Sequence, residues 1–175
     1  MRVIQETFVQ ARYENSDEFH EVKSVRDSLF AFLNRPESLS AISLANTPGT
    51  SSAEIQATFL EHARSLGFRS EAKGLFADYA TSGLRPDYFK PLGDTGILIE
   101  VERGKTTINN MDFLDLWKCH VCPVADYLFL MVPQALVQNS TMRPRNEYAT
   151  VVKRMGTFFV DGNYTNERAL TVFGY

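Results

Sequence analysis

The chain has 175 residues, 44% of them hydrophobic and 22% charged, which suits one globular domain with a real core and excludes a disordered chain. A net charge of −3 and a pI near 5.6 exclude attachment to nucleic acid through overall charge, though not through a local basic groove. No run approaches the roughly 18 uninterrupted apolar residues of a membrane span, and the opening MRVIQETFVQARYEN lacks the charged-then-apolar plan of a signal peptide, so no membrane association and a cytoplasmic location are expected.

From Ser16 to Leu33 the apolar residues Phe19, Val22, Val25, Leu29, Phe30 and Leu33 follow helical spacing, and Asn34-Arg35-Pro36 ends the pattern. Residues 37–51, rich in Ser, Thr, Pro and Gly, read as a loop. A second helix follows, capped by Ser51 or Ser52, striped by Ile55, Phe59, Ala63 and Leu66, and stopped by Gly67. Phe68 to Tyr79 leans toward a strand. LRPDYF, Leu84 to Phe89, is extended, because Pro86 pushes Arg85 out of helical space.

PLGDTG supplies a turn and GILIEVE the next strand. Along it Ile97, Ile99 and Val101 face one way and Leu98, Glu100 and Glu102 the other. Two acids therefore share one face, where they repel unless a cation or basic side chain lies between them. Asn109 or Asn110 can cap a helix whose apolar face is Met111, Leu114, Trp117 and Val121, ended by Pro123. ADYLFLMVP has strand length and no alternation, so it reads as a strand buried on both faces and parallel to its predecessor. Glu147 to Met155 reads as a helix with Tyr148, Val151 and Val152 inward, and the tail as two β-prone runs around an Asp161-Gly162 turn.

Cys119 and Cys122 lie near the end of a predicted helix with no second Cys pair, and His20 and His62 lie far upstream, so ordinary reduced thiols are expected.

An Asp directly after Pro on one strand, acids spaced E-x-E on the next, then a crossover helix and a buried strand: over Arg85 to Pro133 this order resembles the PD-(D/E)xK nuclease superfamily. The resemblance implies an α/β (α+β) fold, a restriction-endonuclease-like mixed sheet flanked by helices, in one domain over 1–175. Its core would be about 51–133, with a helical part at 1–50 and a helix and hairpin at 144–175. It implies Mg²⁺, with Mn²⁺ able to substitute, held by Asp87, Glu100 and the main-chain carbonyl of Val101. Catalysis would fall to Asp87, Glu100 and Glu102. Glu102 departs from the family's usual Lys, although some type II restriction endonucleases carry Glu there. Lys105 could reach back to supply the missing cation.

Glu54, Glu61 or Glu71 could add an upstream acid, and Arg85, Lys90, Arg103 and Lys118 could contact phosphates. The leading expectation is a Mg²⁺-dependent DNA endonuclease of restriction type, a homodimer if it cuts both strands of a palindromic site. The alternative is a catalytically inactive nuclease-like domain acting as a nucleic-acid or protein interaction subunit. A glycosidase using the Glu pair would need a sugar-sized cleft and leaves Asp87 without a role.

Overall fold

The computed structural model describes residues 2–70, 74–79, 84–104, 106–136 and 143–175. Six strands form one mixed sheet: β1 (Ile4–Val9), β2 (Arg69–Ser70), β3 (Tyr88–Leu92), β4 (Thr95–Val101), β5 (Tyr127–Val132) and β6 (Ala169–Gly174), in the order β1-β6-β5-β4-β3-β2. The central trio β4, β5 and β6 runs parallel, and β1, β3 and β2 pair antiparallel around it.

Side-chain alternation divides the interior into two layers. Ile97, Ile99, Tyr127, Phe129, Met131 and Phe173 face α1 (Asp17–Leu33), α2 (Pro36–Ala45), α3 (Ser52–Ala57) and α4 (Leu60–Ser65). Leu98, Leu128, Leu130, Val132, Leu170 and Val172 face α5 (Met111–Val121) and α6 (Glu147–Gly156). The doubly buried β5 and the two faces of β4 are as the sequence implies. Gly96 lets β3 and β4 approach, since a Cβ there would stand 2.7 Å from the Lys90 carbonyl oxygen. Among the described residues no helix is long and apolar enough to cross a membrane.

Five local expectations are corrected. Residues 37–51 are not all loop: Pro36 takes a first-turn position of α2, where its missing N–H costs nothing, and Ser38 and Ile42, one turn apart, are buried. The helix after Ser51 is broken into α3 and α4, with Thr58 bonding back to the Ile55 carbonyl at 2.7 Å and Phe59 turned into the core. Among the described residues of the stretch 68–79, Arg69–Ser70 is strand and 74–79 is turn.

The expected terminal hairpin is absent. Residues 157–159 form a 3₁₀ turn, and β6 enters the sheet between β5 and β1, a site that buries its whole length. The strand that makes this possible, β1, carries no clear alternation in sequence.

The fifth correction concerns α5. Leu114 and Trp117 lie outward, and the buried side carries Asp112, Asp115, Leu116, Lys118 and Cys119. The apolar stripe predicted a core face, but the core-facing side of this helix is the polar one. Cys119 and Cys122 are free and buried, and burial raises both thiol pKa values.

Glu167, just before β6, is fully buried, and neither carboxyl oxygen has a hydrogen-bond partner. Burial pushes its pKa up to about 8. The folded chain therefore retains a proton that the unfolded chain loses above its ordinary carboxylate range, and stability falls as pH rises from about 4.5 toward about 8. Glu167→Gln is expected to raise stability at pH 8 by about 1–3 kcal/mol, with the gain shrinking toward pH 5. Urea midpoints at the two pH values check this; an equal gain at both would contradict it.

Candidate active site

The β3–β4 hairpin register places Tyr88 opposite Ile99, so Asp87, at the foot of β3, faces Glu100. Backbone hydrogen bonds clasp the two positions: the Val101 N–H donates to Asp87 Oδ2 at 2.8 Å, and the Asp87 N–H reaches Glu100 Oε2 at 3.4 Å. Glu102 lies just beyond β4. Its main-chain N–H donates to the Met131 carbonyl at 2.8 Å and its carbonyl accepts from the Tyr175 hydroxyl at 2.7 Å, so the strand end is fixed from β5 and from the last residue of the chain.

Helix α5 completes the cluster. Asp115 and Lys118, three apart, share the face that packs on the sheet. Lys118 Nζ lies 2.6 Å from Glu100 Oε1 and 2.9 Å from Asp115 Oδ1, with all three side chains buried. Asp115 was not identified from sequence, and Lys118 was expected on phosphate rather than in ion pairs. The i, i+3 acid–base pair was visible in WKCH and the residues before it, but it reads equally as a solvated helix face.

The electrostatics follow from burial. Glu100 and Glu102 both have raised pKa values, chiefly through loss of water and then through repulsion by Asp115. Asp115 is raised for the first of these reasons, with Lys118 opposing. Burial alone would lower the Lys118 pKa, but Asp115 and Glu100 outweigh it and hold the ammonium charged.

Glu100 and Asp115 thus share one ammonium, with Asp87 clasped to Glu100 and Glu102 close enough to Asp115 for the two to repel. All four carboxyls are hard oxygen donors, the set that suits Mg²⁺, and their surplus of negative charge is what a divalent cation would offset. The donor chemistry therefore fits the metal. Among the described residues no three His, Cys, Asp or Glu side chains already stand in coordinating geometry, and Lys118 sits between Glu100 and Asp115.

The other sequence candidates fall elsewhere. Glu54 closes a capping box with Ser51 at α3, and Glu61 pairs with Arg64 at 2.8 Å on the surface. Arg103 donates to the Thr47 carbonyl; Lys90 is half-buried on β3 and Arg85 is exposed. Lys105 and Glu71 lie outside the described residues.

No family model and no curated protein matches this sequence. Among solved structures the chain is similar to BglII restriction endonuclease complexed with a DNA 16-mer, with a TM-score of 0.52 at 9% identity, over 99% of this chain and 78% of that one. At that identity the likeness concerns the fold: a restriction-endonuclease-like mixed sheet flanked by helices.

Proposed function

We propose that the chain is a Mg²⁺-dependent DNA endonuclease of restriction type, able to use Mn²⁺. The observation that carries this reading is the clasp of Asp87 onto Glu100 and Val101 at one end of a restriction-endonuclease-like sheet, inside a pocket of surplus acid. Asp87 and Glu100 hold the cation, and the Val101 peptide between the two glutamates adds its carbonyl. The bound cation supplies neutralisation of charge growing on the phosphate.

The chain's own groups do the rest. Glu102 is the proton acceptor for the attacking water: its raised pKa, set by burial and by Asp115, moves it toward the pH at which a general base works best. Lys118 brings from α5 the positive charge that the E-x-E spacing leaves out of the third motif position, a role the sequence had offered to Lys105. Tyr175 fixes the Glu102 backbone so that the carboxylates keep their spacing.

Incubation of supercoiled plasmid and of linear duplex with the intact protein tests the reading. Cleavage is expected with Mg²⁺ or Mn²⁺ and none with chelator. Absence of cleavage with either metal across pH 6 to 9, about the range in which a bound water can ionise, would leave the interaction-subunit alternative in its place.

A further inference from the structure

Apolar packing alone does not set the phase of α5. Leu116 and Cys119 are its only buried apolar residues, and the rest of its buried side is Asp112, Asp115 and Lys118. Hydrophobic burial has no direction, so the rotation and axial place of this helix fall to its charged and hydrogen-bonded groups. A slip of one residue would turn Lys118 by about 100° and shift it by about 1.5 Å, and its approach to Glu100 at 2.6 Å would be lost. The C-terminal end of α5 is tied by His120, whose Nδ1 and carbonyl accept from the main-chain and side-chain N–H groups of Asn166 at 3.1 and 2.7 Å.

The first turn is tied by Arg154 of α6. Its Nε stands 3.1 Å from Asp112 Oδ2, Nη1 donates to the Thr107 carbonyl at 3.0 Å, Nη2 donates to Asn110 Oδ1 at 2.7 Å, and the guanidinium lies over the Phe113 ring, 4.0 Å from its centroid. One planar group thus meets the buried side of α5, its outer side and the connection from β4. Asn110, which precedes the helix with a left-handed φ of 55°, does not cap it; its side chain serves Arg154 instead. Thr107 is held at its other polar atoms as well. Its N–H donates to the buried Glu147 at 3.3 Å, and its hydroxyl oxygen accepts from Arg145 at 2.9 Å.

We propose that Arg154 is a positioning residue of the candidate active site, acting through Asp112, Thr107 and Asn110 to set where α5 delivers Lys118. Asp112 and Lys118 share the buried side of the helix, so holding the first fixes the approach of the second to Glu100. Thr107 lies between Glu102 and α5, so the same guanidinium also sets the span from the strand end to the helix. A lysine at 154 would keep a positive charge for Asp112 but not the planar fork that reaches all three partners. Misplacement of a reacting group by about 1 Å is enough to slow a reaction about 10²-fold. The effect on rate rests on the nuclease reading; the effect on the Lys118 ammonium does not.

Arg154→Lys in the intact protein tests this, with the exposed Lys153→Ala as a control on the same helix. The first readout needs no activity. With ¹⁵N-labelled lysine, the buried Lys118 ammonium, identified by its loss in Lys118→Met, should give a slowly exchanging signal in the parent and in Lys153→Ala, and none in Arg154→Lys. The second is plasmid nicking with Mg²⁺. Arg154→Lys should lower kcat by at least about tenfold with KM within about twofold of the parent's. In a Lys118→Met background the same substitution should cost less than about twofold, because a residue that acts through Lys118 then has nothing left to position. A parent without the ammonium signal, an unchanged signal in Arg154→Lys, or a rate loss equal in both backgrounds would overturn the proposal. A parent that cuts nothing, with the signal lost in Arg154→Lys, keeps the positioning and loses the nuclease; a parent that cuts, with the signal intact in Arg154→Lys, does the reverse. Should Arg154→Lys fail to fold, Asn110→Gly accepts the left-handed backbone and removes one acceptor of Arg154, and the same two readouts apply to it.

Discussion

Asp87→Asn and Glu100→Gln are each expected to lower metal-dependent DNA cleavage by at least about 10²–10³-fold, the scale of removing one electrostatic contact from a reacting centre, while the fold is retained. Both substitutions are nearly isosteric, so neither opens a cavity. An Asn at 87 still presents a carbonyl oxygen to the Val101 N–H that Asp87 Oδ2 accepts from at 2.8 Å, and the hairpin register does not depend on the charge. At Glu100 the loss of one negative group leaves Asp115 paired with Lys118, so stability at neutral pH should be kept or improved. What both variants lose is affinity for the cation, and calorimetric titration with Mn²⁺ reads that directly without any cleavage. Unchanged Mn²⁺ affinity in both would remove the assignment of Asp87 and Glu100 as ligands, whatever the activity.

The site was legible in sequence where backbone alternation decides the geometry. Pro86 and the Gly-rich turn fixed the extended run and the hairpin, and the period of two put Glu100 and Glu102 on one face; the structure keeps both. Helix α5 was misread because hydrophobic periodicity assumes that the sheet-facing side is apolar. Here that side must carry Asp115 and Lys118 into the cluster, so the apolar stripe was displaced to the solvent side. Long-range partners were out of reach for another reason. Lys118 finds Glu100 only after β4, α5 and β5 are packed, and β1 finds its place only against β6 from the far end of the chain. Serine-rich α2 shows the limit of composition: two buried positions one turn apart hold a helix that its polar residues disguise.

The buried ammonium of Lys118 provides the second large effect. Lys118→Met keeps length and apolar stem but strands Glu100 and Asp115 without their cation, and breaking a buried charge pair in this way costs about 3–5 kcal/mol. The loss should appear as a lower denaturation midpoint in chelator. Because the missing charge is positive, Ca²⁺ or Mg²⁺ should stabilise the variant more than the parent, since a cation that binds only the folded state adds to its stability by mass action. That comparison distinguishes a charge defect from a packing defect, which no metal would repair. Cleavage is expected to stay at least about 10²-fold down even where metal has restored the fold, because a cation held at Asp87 and Glu100 would not replace an ammonium arriving from α5. Glu102→Gln supplies the control: it removes the proton acceptor but no ammonium, so it should slow cleavage by about 10² or more with Mn²⁺ affinity and apo stability close to the parent's. Full recovery of cleavage in Lys118→Met once metal is added would reduce Lys118 to a counter-ion of Glu100 and Asp115. The chemistry would then rest on Asp87, Glu100 and Glu102 alone.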